Sequence, residues 1–139
     1  MKRLVAIVAV FVLAQLCTAF AGSVTVCGNA EFNLPNELVN IQEQAFMGIM
    51  AHSVYLSDNT VEIGPEAFAD CMVLEWIRIP ASVTSISENA FKNCSADLKI
   101  YGVDKSKAQE YAYKKGYHFY DEVTGKEIRY NTLPEYPIP

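Results

Sequence analysis

The dipeptide Ala-Phe recurs at Ala45-Phe46, Ala67-Phe68 and Ala90-Phe91, at intervals of 22 and 23 residues, inside a longer pattern. The segments ending on it, NIQEQAF, EIGPEAF and SISENAF, superpose without a gap, with Ile41, Ile63 and Ile86 in register. Upstream, Phe32-x-Leu34-Pro35, Val54-x-Leu56-Ser57 and Ile77-x-Ile79-Pro80 align as well. A unit this short hides its apolar side only by stacking on its neighbours, so a fixed period in the twenties predicts a solenoid.

Each unit reads as a short strand, a turn and a compact return. Phe32 and Leu34, Val54 and Leu56, and Ile77 and Ile79 alternate with other residues at period two, which points them inward from short strands. Pro35 and Pro80 end those strands because proline brings no ladder donor. The chain returns to the core through 38–41, 60–63 and 83–86. The Ala-Phe pair is expected on a tight helical or 3₁₀ turn, with Gly48, Asp70 and Asn93 as turn residues at matching positions. Stacked units then form a ladder of parallel strands.

The same register orders the cysteines. Cys71 and Cys94 each follow a repeat phenylalanine by three residues, Ile49 holds that slot after Phe46, and Cys27 holds it one unit earlier. The mature chain therefore begins in a degenerate repeat. Ile49 marks the slot as a compact apolar one, which free cysteine fills well. A disulfide is the alternative in a secreted chain. Cys27 and Cys71 would lie two turns apart, about 10 Å, too far to bridge. Cys71 and Cys94 are one turn apart but send their Cβ atoms in parallel, which suits the bond badly. One column cannot surround zinc tetrahedrally, and neither His52 nor His118 shares its register, so no metal is expected.

The N-terminus carries a separate signal. Lys2-Arg3 precedes an apolar run from Leu4 to Leu16, broken only by Gln15, and Ala19-Phe20-Ala21 places small residues before Gly22. That is the layout of a secretory signal peptide, residues 1–21, cut after Ala21. A retained anchor is the competing reading; Gln15, Thr18 and the Ala-x-Ala site oppose it. Loss of Lys2 and Arg3 moves the formal charge from −5 to −7. Ten acidic residues in 22–97 face only Arg78 and Lys92, whereas 98–139 carries six acids and seven bases. An acidic repeat body argues against nucleic acid and anionic membrane surfaces as partners.

Segments such as LEWIRIPASVTSISENAFKNC resemble BspA-type leucine-rich repeats, whose unit runs L-x-x-I-x-I-P-x-x-V-x-x-I-x-x-x-A-F-x-x-C. The match is nearly complete from Leu74 to Cys94, good from Val54 to Cys71 with Ser57 in place of proline, and looser from Phe32 to Ile49. LKIYGVDKSKAQEYAYKKGYHF is similar to the strand–helix–strand that closes many such arrays. The resemblance implies an α/β solenoid, a short leucine-rich repeat array over 22–97 with a C-terminal cap over 98–130. It also implies a secreted or surface protein, in some members an adhesin for host ligands, and no shared catalytic residues.

The cap is consistent on its own terms. Ser106 and Gln109 fit a capping box, Ala108, Tyr111 and Ala112 share a helix face, and Gly116 suits the C′ stop after Lys114 and Lys115. The segments 117–123 and 126–130 flank Thr124-Gly125 as a hairpin. The tail 131–139, with Pro134, Pro137 and Pro139, is expected to be extended, loosely held and off the strand face.

Catalytic patterns are missing from the sequence: there is no phosphate loop, no His-Glu-x-x-His and no serine elbow. No enzyme activity and no cofactor are expected. His52 and His118 read as ordinary surface or packing residues, and Glu43, Glu66 and Glu88 as solvated turn carboxylates. Asn93-Cys94-Ser95 is a formal glycosylation acceptor whose cysteine faces the core.

The strand ladder offers more. The outward positions are Glu31 and Asn33, Ser53 and Tyr55, Trp76 and Arg78, then Asp97 and Lys99. Tyr55, Trp76 and Arg78 are thereby brought together, and these residue types are enriched in binding hot spots. The plainer reading is that Trp76 shields the ladder by lying over Tyr55 and Arg78. Two functions are compatible with this face. One is a secreted or cell-surface module, expected to be a monomer, that recognises a protein or glycan; the other is a structural surface component without a discrete ligand.

Overall fold

The computed structural model describes residues 31–129. The predicted signal peptide, Cys27 and the tail 131–139 lie outside the described residues. The described residues fold as a parallel β-solenoid of about four turns closed by one helix. Eight strands and the helix follow in the order β1 (Glu31–Asn33), β2 (Asn40–Ile41), β3 (Ser53–Tyr55), β4 (Glu62–Ile63), β5 (Trp76–Arg78), β6 (Ser85–Ile86), β7 (Lys99–Gly102), α1 (Lys107–Lys115) and β8 (His118–Asp121). The long ladder runs β1-β3-β5-β7-β8, with every pair parallel. Its register matches the repeat: Phe32, Val54, Ile77, Ile100 and Phe119 occupy one inward column.

The return segments form a second parallel ladder, β2-β4-β6, in which Ile41, Ile63 and Ile86 align. Two-residue strands carry too little alternation to announce themselves in sequence. Between the ladders the same turn recurs: Leu38, Thr60 and Val83 donate their N–H to the carbonyls of Pro35, Ser57 and Pro80. Gly64 is required by closeness, because a Cβ there would stand 2.7 Å from the Ile41 carbonyl oxygen.

The Ala-Phe segment is a turn and not the helical or 3₁₀ element expected. Gln44, Glu66, Asp70 and Asn93 take left-handed φ values of 52–59°, as does Gly48 at 70°. That geometry aims backbone donors along the solenoid axis. Phe46 N–H reaches Ala67 O at 2.8 Å and Phe68 N–H reaches Ala90 O at 2.8 Å, so the turn is itself a ladder. A helical turn would have satisfied these donors within one unit and left the stack unbonded.

The phenylalanines form a continuous pile. Phe46 and Phe68 lie 5.3 Å apart at 15°, Phe68 and Phe91 5.4 Å apart at 6°, and Tyr111 of the cap extends the series at 5.7 Å. The cysteine column serves the same carbonyls. Cys71 Sγ donates to Phe46 O at 3.4 Å and Cys94 Sγ to Phe68 O at 3.0 Å. Where the array ends, Tyr117 Oη takes the equivalent place on Phe91 O at 3.1 Å. Cysteine is therefore more than a compact apolar filler, since Sγ supplies a weak donor to the phenylalanine carbonyl of the preceding unit. Both thiols are free, and Cys94 is only half-buried. Its pairing with Cys71 and its burial push the Cys94 thiol up, which lowers the thiolate fraction and slows reaction. Native protein should therefore label slowly at Cys94 and not at Cys71 until it is unfolded, as read by peptide mass. Rapid native labelling of Cys71 would contradict the column.

The cap departs from the sequence reading in three places. Ser106 stands at the helix N-cap without a side-chain hydrogen bond, and Gln109 accepts from Lys105 N–H at 2.7 Å, so no capping box forms. Gln109 is instead fully buried and joined to Asp104 and Tyr113. The hairpin after β8 keeps a single antiparallel bridge, Tyr120 to Glu127, because Asp121 Oδ1 caps the turn through the N–H groups of Val123 and Thr124. The fourth rung of the long ladder presents Lys99 and Tyr101, not Asp97 and Lys99. Gly116 does close the helix at φ 78°, bonding the carbonyls of Ala112 and Tyr113.

Candidate functional site

The outward side of the long ladder is built from two columns. Glu31, Ser53, Trp76, Lys99 and His118 make one; Asn33, Tyr55, Arg78, Tyr101 and Tyr120 make the other. Ser53 belongs to the outward column but is 3% exposed. The aromatic members touch in sequence along the solenoid. Tyr55 meets Trp76 edge-on at 4.8 Å, Trp76 meets Tyr101 at 5.5 Å, and Tyr101 stacks on Tyr120 at 5.1 Å. Each such pair adds about 0.5–1.5 kcal/mol beyond the area it buries, so the row is held in place before any ligand arrives.

Arg78 behaves differently from the sequence expectation. Its guanidinium bonds Glu122 through Nε at 2.9 Å and Asp58 through Nη1 at 2.8 Å, with a longer contact to Leu56 O. Partial burial disfavours its charge, but the hydrogen bonds and charges of Glu122 and Asp58 prevail and raise its pKa. The guanidinium thus clamps the 122–125 turn over the strand face. Tyr55, Trp76, Arg78, Tyr101, Glu122 and Val123 line an open groove of ≈ 650 Å³. Val123, 85% exposed, forms an apolar lip.

The structure brings Tyr55, Trp76 and Arg78 together as the sequence register requires. Tyr101, Tyr120 and Glu122 were missed. Carrying the 23-residue step from Arg78 to position 101 would have found Tyr101; Tyr120 follows the cap helix, and Glu122 acts from a turn, where no period applies.

Other polar groups are engaged structurally. His52 bonds Glu75 at 3.1 Å and His118 bonds Glu127 at 2.8 Å. Glu66 is not simply solvated: it accepts from Lys92 and Gln44 across turns, and Lys92 holds its carboxyl below the usual range. Glu88 pairs with Lys114 of the cap. Asn93 donates its amide to Asp70 at 2.8 Å, which occupies the nitrogen a glycan would need. Among the described residues no group of His, Cys, Asp and Glu is arranged to hold a metal ion.

The family model for the BspA type leucine-rich repeat region matches residues 19–119 in six copies. The chain belongs to this family. No curated protein and no solved structure matches it. A BspA type array is a repeat module for protein recognition, and the leucine-rich repeat is generally a non-enzymatic binding scaffold. BspA type proteins are typically found at the surface or secreted. No helix among the described residues is long and apolar enough to cross a membrane.

Proposed function

We propose that this BspA type protein is a secreted or cell-surface adhesion module that docks a protein, or a glycan, over Trp76 on its strand face. The observation that carries this reading is the row of four touching aromatic rings on a rigid ladder, three of which, Tyr55, Trp76 and Tyr101, line an open groove. Aromatic side chains with two rotatable bonds lose little entropy on contact, and theirs is already spent on each other. The acidic repeat body favours a partner with a basic or mixed surface and steers its approach. Arg78, committed to Asp58 and Glu122, shapes the groove and is not itself the anchor.

The rival reading is a structural surface component in which the same rings only shield the ladder. Binding by the Trp76→Ala variant separates the two: a recognition module loses affinity for its partner, and a shielding row loses only stability. Export rests on the leader: the secreted protein is expected to begin at Gly22, read by intact mass. Retention of residues 1–21 on the exported protein would overturn that expectation.

A further inference from the structure

We infer that the corner after the Ala-Phe turn is a binding site for one soft monovalent metal ion of the Cu(I) class, held by the thioethers of Met47, Met50 and Met72. The chain has four methionines; Met1 belongs to the predicted leader and these three are the rest. Methionine ordinarily fills irregular gaps in cores, being unbranched and adaptable. Here the buried core of the described residues contains none. All three stand in solvent instead, Met47 at 46%, Met50 at 54% and Met72 at 68% exposure. Leaving apolar side chains of that size in water forgoes the gain of burying them. Three of one type on one corner call for a reason that packing does not supply.

The backbone register brings them together. Gly48 N–H reaches Ala69 O at 2.7 Å and Asp70 N–H reaches Lys92 O at 2.8 Å, so successive turns are bonded rung to rung. Met50 follows Ile49 and Met72 follows Cys71, and Ile49 and Cys71 hold the same slot of the repeat. Met50 and Met72 therefore belong to neighbouring rungs, about 4.8 Å apart. Within one rung, Ile49 N–H closes on Phe46 O and Gly48 turns at φ 70°, which folds Met47-x-x-Met50 round the corner. At about 2.3 Å per bond, the length of a zinc–sulphur bond, two sulphurs on one ion lie up to about 4.6 Å apart. The rung spacing meets that requirement, and the three rotatable bonds of each methionine let the thioethers converge. Ligand softness selects the ion: thioether suits Cu(I), whereas harder ions take oxygen or imidazole. The other donors near this corner are committed. His52 Nδ1 faces Glu75, Cys71 and Cys94 direct Sγ to carbonyls, and Asp70 accepts from Asn93. Ten acids against two bases over 22–97 supply the negative field that favours a cation held by neutral ligands.

The test titrates the mature chain, with methionine isotopically labelled at its methyl carbon, with Cu(I) kept reduced by ascorbate and separately with Ag(I) as a redox-inert probe. The methyl resonances of Met47, Met50 and Met72 should shift together and stop shifting at one equivalent of metal. Met50→Leu and Met72→Leu conserve side-chain volume, so the fold should be unchanged by circular dichroism. Each should lose at least about tenfold in affinity, the lower bound even for an outer-shell partner. Affinity should be equal at about pH 5 and about pH 8, because a thioether carries no proton, whereas a histidine or thiol ligand would weaken binding in acid. Folded Trp76→Ala should bind the metal as the parent does, so this site and the strand-face reading stand or fall separately. Methyl resonances that stay in place would overturn the proposal. So would binding lost in Cys94→Ala and kept in Met50→Leu, since a thiol would then be the ligand. Methyl shifts that saturate at different metal concentrations would overturn it as well, because independent thioethers do not make one site.

Discussion

Phe68→Ala is expected to unfold most of the array, at a cost of about 3–5 kcal/mol. Phe68 is fully buried and lies in the middle of the pile, with Phe46 on one side and Phe91 on the other at 5.3 and 5.4 Å. The void left by its ring cannot close by collapse of the turn. Phe68 N–H is fixed to Ala90 O and Phe46 N–H to Ala67 O, which sets the separation of the layers. A domain of this size holds about 5–15 kcal/mol in total, so one such loss leaves little reserve. Met72, 68% exposed on the same repeat, supplies the control, and Met72→Ala should stay within about 0.5 kcal/mol of the parent. Urea unfolding of both variants checks this. A loss below about 1 kcal/mol at Phe68, the size of an ordinary substitution, would mean that the pile does not hold the layers together.

The inward columns were legible because burial on every turn forces the same residue type back at the same interval. Ile41, Ile63 and Ile86, or Val54, Ile77 and Ile100, are such columns, and the register followed from them. Backbone conformation was less legible. Gln44 and Asp70 adopt left-handed φ values and send their N–H groups to Pro65 O and Lys92 O of the next turn, and a demand made by a neighbouring unit leaves no mark in one unit's propensities. Ser106 and Gln109 show a local rule losing to packing: the spacing of a capping box is present, but burial of Gln109 draws its amide to Asp104 and Tyr113. At the site, Tyr55 and Trp76 were found from period alone. Glu122, which turns Arg78 from a free cation into a clamp, sits 44 residues away in sequence and belongs to no column.

Trp76→Ala is expected to weaken binding of a macromolecular partner by more than about 2 kcal/mol, the threshold of a hot spot. Trp76 touches a ring on each side, Tyr55 and Tyr101, so its loss opens the middle of the row and wets both neighbours. Some stability goes as well, since two aromatic pairs at about 0.5–1.5 kcal/mol each disappear, and binding must be read where the variant is still folded by circular dichroism. Arg78→Ala should weaken binding less, through release of the 122–125 turn from Asp58 and Glu122.

The most direct measurement is calorimetric titration of a partner isolated from cell-surface or matrix extract against the parent, Trp76→Ala and Met72→Ala proteins. The strand-face account predicts that Met72→Ala binds as the parent does, while Trp76→Ala loses about 30-fold or more in affinity with its fold retained. Equal affinity of the parent and folded Trp76→Ala for that partner would contradict it.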